Sequence, residues 1–200
     1  MRNVMEDTTP KIVESINGDQ PRWYAFKVFF NKVFELDELM RENGVMTYFP
    51  VVQAEKKVGG VVRMVKQPAI SSLIFVRCTG EEILAWQRKL SGKAMLYTHV
   101  TDGIRLPSPI DENEMRFFML VTSTDDDRLE YLNVDSIDYK KGQRVRVIEG
   151  PYKGCVGYIK RVKGNRRLLV SVEGIALVAT SYIPSAFLEK LQSSTNNPQI

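Results

Sequence analysis

One histidine, His99, and two cysteines, Cys78 and Cys155, are the side chains best suited to nucleophilic, acid–base or metal chemistry in this chain of 200 residues. A hydrolase needs a nucleophile, a base and a third group that orients the base, and a metal needs several convergent ligands. Neither pattern occurs. The cysteines stand 77 positions apart, which suits neither a ligand pair nor a disulfide scaffold, and they read as small buried hydrophobes. His99, beside Tyr97, Thr98 and Thr101, reads as a hydrogen-bonded residue at a strand end. The acidic triplet Asp125, Asp126 and Asp127 lacks the alternating spacing and bidentate Glu of a calcium loop and reads as solvated linker. The sequence therefore points away from an enzyme and implies no metal or cofactor.

Recognition chemistry is better represented. The net charge is +4, and residues 139–191 hold eleven Lys/Arg against three Glu, so this segment carries +8 and the rest −4. A concentrated positive charge attracts phosphate or an acidic protein, or simply keeps a small domain soluble. Within that segment Tyr152, Lys153, Lys160, Arg161, Lys163, Arg166 and Arg167 are the candidates for a partner contact. A second basic group, Lys56, Lys57, Arg63 and Lys66, surrounds Gly59-Gly60.

The elements that must position these groups follow from periodicity. Residues 1–21 are polar and unpatterned and read as a disordered tail, as do residues 192–200. Residues 23–30 are aromatic and β-branched, a buried strand, after which Phe29, Val33, Leu36 and Met40 recur at helical spacing until Asn43-Gly44. Residues 45–55 and 61–65 form extended runs joined by Gly59-Gly60, a hairpin. Leu73-Ile74-Phe75-Val76 lacks polar alternation and suits a central strand. Thr79 with Glu82 has capping-box spacing, Ser91-Gly92 ends that helix, residues 94–100 are extended, and an acidic cap at residues 111–114 precedes Met115, Phe118, Met119 and Leu120. The expected fold is α+β: an α/β sandwich with a mainly antiparallel sheet over residues 22–121. Residues 122–138, with six acids against Arg128, read as a linker extended by like charge. Short valine-rich runs broken by Gly150-Pro151, Gly154, Gly164-Asn165 and Gly174 then predict a five-stranded β-barrel over residues 139–191.

The run from Gly142 to Ile159 resembles the KOW motif: alternating valines for the core, arginines between them facing water, and Gly150-Pro151-Tyr152-Lys153-Gly154 as a turn that presents an aromatic and a cation. Gly157 in this frame allows two backbones to approach closely, or bends the strand at a barrel corner. The N-terminal half resembles the NusG N-terminal (NGN) domain in Arg22-Trp23-Tyr24-Ala25-Phe26-Lys27, in residues 45–50 ending at Pro50, in residues 73–76, and in Asp102-Gly103 to Pro107 with its following helix. Together these resemble a transcription elongation or antitermination factor of the NusG type over residues 22–191. Ser71-Ser72-Leu73 stands in place of a Pro-Gly-Tyr-like opening, and Val172 to Leu177 in place of a Phe-Gly-Arg turn. Both departures, with Ile183-Pro184 and Phe187-Leu188-Glu189, are more similar to the UpxY-type paralogues of capsular polysaccharide operons.

The resemblance implies that the N-terminal domain binds RNA polymerase at the clamp helices of its largest subunit and suppresses pausing. Tyr24, Phe49, Pro50, Leu73 and Phe75 are the expected contact residues, as a half-exposed apolar patch beside the sheet edge, with Trp23 and Phe26 as core. The hairpin cations Lys56, Lys57, Arg63 and Lys66 would reach DNA or the opposite side of the cleft, or simply face solvent, and the barrel's cations nascent RNA, a ribosomal protein or a termination factor. A housekeeping NusG, or a ribosome- or RNA-binding KOW protein without polymerase contact, are the alternatives. No segment is apolar enough to span a bilayer, so no membrane partner is expected and the cytoplasm is the expected compartment.

Overall fold

In the computed structural model the described residues are 20–124 and 126–192, and the expected tails lie almost entirely outside them. The chain divides into two compact units, Met1–Ile110 and Asp111–Ile200.

In the first unit, β1 (Arg22–Val28) and β5 (Leu73–Cys78) pair antiparallel at the centre of a four-stranded sheet, flanked by β2 (Met46–Tyr48) and β6 (Ala94–Leu96) in the order β2-β5-β1-β6. Alternation along the strands sends Tyr24, Phe26 and Val28, with Ile74, Val76 and Cys78, to one face. That face is covered by α1 (Val33–Glu42) through Val33, Leu36 and Met40, and by α2 (Gly80–Lys89) through Ile83 and Trp86. Trp23, Ala25, Leu73 and Phe75 point to the opposite face and are buried too, as the unbroken apolar run of β5 requires. Both helix ends form as the sequence implies. Gly44 takes φ 75° and Val45 N–H donates to Met40 O at 3.0 Å, closing α1 with a Schellman-type turn. Thr79 and Glu82 make a reciprocal capping box on α2.

Two hairpins stand outside this sheet. β3 (Val51–Val58) and β4 (Val61–Pro68) turn at Gly59-Gly60, whose φ angles of 58° and 86° belong to a tight primed turn. β7 (Thr98–Thr101) and β8 (Ile104–Pro107) turn at Asp102-Gly103.

The second unit opens with α3 (Glu112–Thr122), capped by Asp111, whose carboxylate accepts from Asn113 N and Glu114 N at 2.9 and 3.1 Å. The sequence reading put this helix in the N-terminal domain; here it lies against β12 (Asn165–Val172). Its apolar positions Met115, Phe118 and Val121 require a cover, but periodicity does not say which sheet provides it.

The expected five-stranded barrel is also different. β10 (Gln143–Val147), β11 (Val156–Val162), β12, β13 (Ala176–Ala179) and β14 (Leu188–Lys190) join β9 (Glu130–Leu132) in a six-stranded antiparallel sheet, order β14-β10-β11-β12-β13-β9. The order ends at β14 and β9, which do not pair with each other, so this is an open sheet and not a closed barrel. The sixth strand comes from the segment read as linker: Tyr131 opposes Val178 and Leu132 opposes Leu177. Its acid Glu130 is neutralised by Arg167 at 3.2 Å and by Lys163, so like-charge repulsion does not extend this part of the chain. Val145 and Val147 are buried as the KOW alternation predicts. At Gly157 a Cβ would collide with the carbonyl oxygen of Leu169, so the close approach expected there is real.

Candidate partner-binding surfaces

In the first unit, the residues expected to form the exposed patch do not do so. Tyr24, Phe49, Pro50, Leu73 and Phe75 are all buried: β1 and β5 occupy the middle of the sheet and bury both faces, and Phe49, after β2, joins the core cluster. The apolar surface lies next to them instead. Phe34 is 45% exposed and meets Phe49 edge-to-face at 5.4 Å, so Phe49 supports it from beneath. Phe30 is 81% exposed on a left-handed backbone, φ 57°, followed by Asn31 at φ 55°. A bulky side chain in that conformation is strained, and burial does not compensate for it. Asn31, Phe34, Lys56, Lys66 and Gln67 border a cavity of about 660 Å³.

The four hairpin cations are exposed, and among the described residues none has an ion-pair partner. Register splits them: Lys56 sits directly opposite Arg63 on one face, while Lys57 opposite Val62 and Lys66 opposite Gln53 share the other. Like charges directly across a strand pair are destabilising on their own and so favour an external anion. Val61, Val62 and Met64 are exposed among them.

In the second unit, most of the cations expected to reach a partner are engaged internally. Lys163 and Arg167 hold Glu130, Arg166 donates to Ser185 Oγ at 3.1 Å, and Lys160 donates to Asp138 O. Lys153 and Arg161 are exposed. Tyr152, expected at the tip of the turn, is buried, and its hydroxyl donates to Asp126 Oδ2 at 2.8 Å. Asp126 is the hub here. Ser181 Oγ donates to Oδ2 at 2.6 Å, and Arg128 donates to Oδ1 through N and Nε at 3.0 and 2.9 Å. Burial alone would raise the pKa of Asp126, but the hydrogen bonds from Ser181, Arg128 and Tyr152 outweigh it and hold the carboxyl well below the usual range. This acid of the expected linker thus ties itself and Arg128 to Tyr152 and to Ser181. The sequence carried no signal for it beyond an aspartate within chain reach of a hydroxyl-bearing turn.

Three arginines outside the expected contact residues also matter. Arg144 and Arg146 share a face of β10 opposite Tyr158 and Val156, and Arg116 of α3 lies over the Phe117 ring at 4.9 Å. The only signal for Arg144 and Arg146 was the alternation of arginine with buried valine along β10.

Neither thiol is poised for chemistry. Burial, with Glu82 nearby, pushes Cys78 up to about 12, and burial pushes Cys155 to about 12 against a small opposing effect of Arg116. No cluster of His, Cys, Asp or Glu able to hold a metal occurs among the described residues. No helix among them is long and apolar enough to cross a membrane.

Residues 21–119 match the family described as "Transcription termination factor nusG". No curated protein sequence matches the chain. A solved structure described as "Domain interaction in Thermotoga maritima NusG" is similar at 15% identity, covering 86% of this chain and 98% of that one, with a TM-score of 0.42.

Proposed function

We propose that the protein is a transcription elongation or antitermination factor that binds RNA polymerase through its first unit and suppresses pausing or termination. The observation that carries this reading is the NusG-family match over residues 21–119, which takes in the whole four-stranded sheet, both its helices and both hairpins. The contact falls on Phe30 and Phe34, the latter supported by Phe49, and the clamp helices of the largest subunit are its target. Exposed aromatic anchors over a rigid sheet are the side chains that concentrate binding energy in specific interfaces. Lys56, Lys57, Arg63 and Lys66 supply a second, phosphate-directed contact to DNA near the polymerase. The departures at Ser71-Ser72-Leu73 and at residues 172–177 support a specialised paralogue serving capsular polysaccharide operons. The second unit engages a separate partner such as a ribosomal protein or termination factor, with Lys153 and Arg161 exposed to it. The protein works by binding, without catalysis, in the cytoplasm.

The test is co-purification of core polymerase with the full chain, wild type against Phe34→Ala and Phe30→Ala. Retention by the wild type and loss of about tenfold or more in affinity in the variants, with melting unchanged, is expected. Absence of any wild-type complex would overturn the polymerase reading. Genome-wide mapping of occupancy then separates a specialist, found at few operons, from a general factor found at all transcribed genes.

A further inference from the structure

In the second unit a cavity of about 590 Å³ lies between the first turns of α3 and one face of β10 and β11. Strand alternation puts Arg144 and Arg146 on that face, with Tyr158 and Val156 directly across from them, while Val145 and Val147 turn to the core. From the other side Arg116 reaches the same cavity. Three guanidinium groups therefore border one concave space, and none of the three was needed by the polymerase reading.

Their states differ in a way that favours an anion. Arg116 is stacked on Phe117 and donates to Asn113 Oδ1 at 3.1 Å, which fixes the plane of its fork. Arg146 is half committed, with one Nη at 3.2 Å from Glu189, both side chains half exposed. The Arg144 guanidinium has no hydrogen-bond or ion-pair partner among the described residues. The acids on the rim are already engaged. Asp111 caps α3, and the Glu114 carboxylate accepts the Glu173 backbone N–H at 3.0 Å. Burial raises the Glu114 pKa, against the lowering effect of the Glu173 backbone N–H. The donors left over are planar, forked and positive, a match for phosphate oxygens, and the volume is that of a small-ligand site.

We propose that this cavity binds the phosphate of a nucleotide, either free or within a single strand of RNA. The site is separate from the proposed polymerase contact and stands or falls without it.

The experiment titrates the full chain with inorganic pyrophosphate and, separately, with a short fluorescein-labelled oligouridylate, following backbone amide shifts and anisotropy. The expected result is saturable binding of at least one probe, with shifts at residues 113–117 and 144–146. Arg144→Ala and Arg116→Ala each weaken it by about tenfold, as loss of a charge-assisted hydrogen bond requires. Arg144→Lys recovers part of the loss, and Lys93→Ala, at an exposed cation that does not border the cavity, changes nothing. Pyrophosphate binding points to a free ligand. Binding of the strand alone points to RNA, with the salt slope falling by about 0.7 for each arginine removed. Arg144 is exposed and unpartnered, so its variants retain the wild-type melting temperature and report on binding. Failure of both probes at millimolar concentration, or equal loss in Lys93→Ala and Arg144→Ala, would overturn the proposal.

Discussion

At the scale of single residues, Asp126, Gly157 and Phe30 bear the most consequence. Asp126 takes donors from Tyr152, Ser181 and Arg128, so Asp126→Ala leaves buried hydroxyls unpaired and should cost about 1–3 kcal/mol of stability in the second unit, read by denaturant melting. Because its folded pKa is depressed, the stabilisation is fully present above the ordinary carboxylate range and is lost as pH falls from about 4 toward the folded value. Asp126→Asn should therefore flatten the acid limb of the stability curve. Gly157→Ala forces a Cβ against Leu169 O and should destabilise by about 1–3 kcal/mol, seen as a lower melting temperature. Phe30→Gly should do the opposite. Relief of the left-handed strain exceeds the added chain entropy, a net gain of about 0.5–1 kcal/mol, while polymerase affinity falls. Gly157 was legible because only a missing side chain explains a glycine inside a valine-rich strand. Asp126 was not, since its partners Tyr152 and Ser181 lie 26 and 55 positions away and nothing in an acidic run marks which acid is buried.

At the scale of elements, local patterns were read well and long-range assignments less so. The capping box at Thr79, the Gly44 stop and the Gly59-Gly60 turn are encoded within a few residues, and each forms as its chemistry dictates. The apolar run of β5 was legible as a central strand, yet the same burial removes Leu73 and Phe75 from the surface on which they were expected. Whether α3 covers one sheet or another, and whether residues 130–132 pair at an edge, depends on partners far along the chain, which periodicity does not encode. The β3–β4 hairpin offers a test at this scale. Replacing Lys56 and Arg63 by Gln removes a like-charge pair, and should raise hairpin stability by about 0.2–1 kcal/mol, measured by hydrogen exchange. The same change should weaken DNA binding and reduce its salt dependence, if these cations serve phosphate. Loss of stability instead would show that they are held by contacts within the fold.

For the whole molecule, the proposed division of labour lies between a first unit that matches the NusG family and carries an aromatic surface, and a second unit proposed to engage a separate partner. Chemistry-bearing residues were scarce enough in the sequence to point away from catalysis, and the basic segment marked the second unit before its sheet was seen. The closed barrel was not read correctly, because a sixth strand drawn from the acidic segment joins the sheet at β13. The measurement that bears most directly on the central claim is polymerase pausing on a defined template with the purified full chain. The account predicts shorter pauses with the wild type and the loss of that effect in Phe34→Ala. Pause lifetimes unchanged by saturating wild-type protein would contradict it.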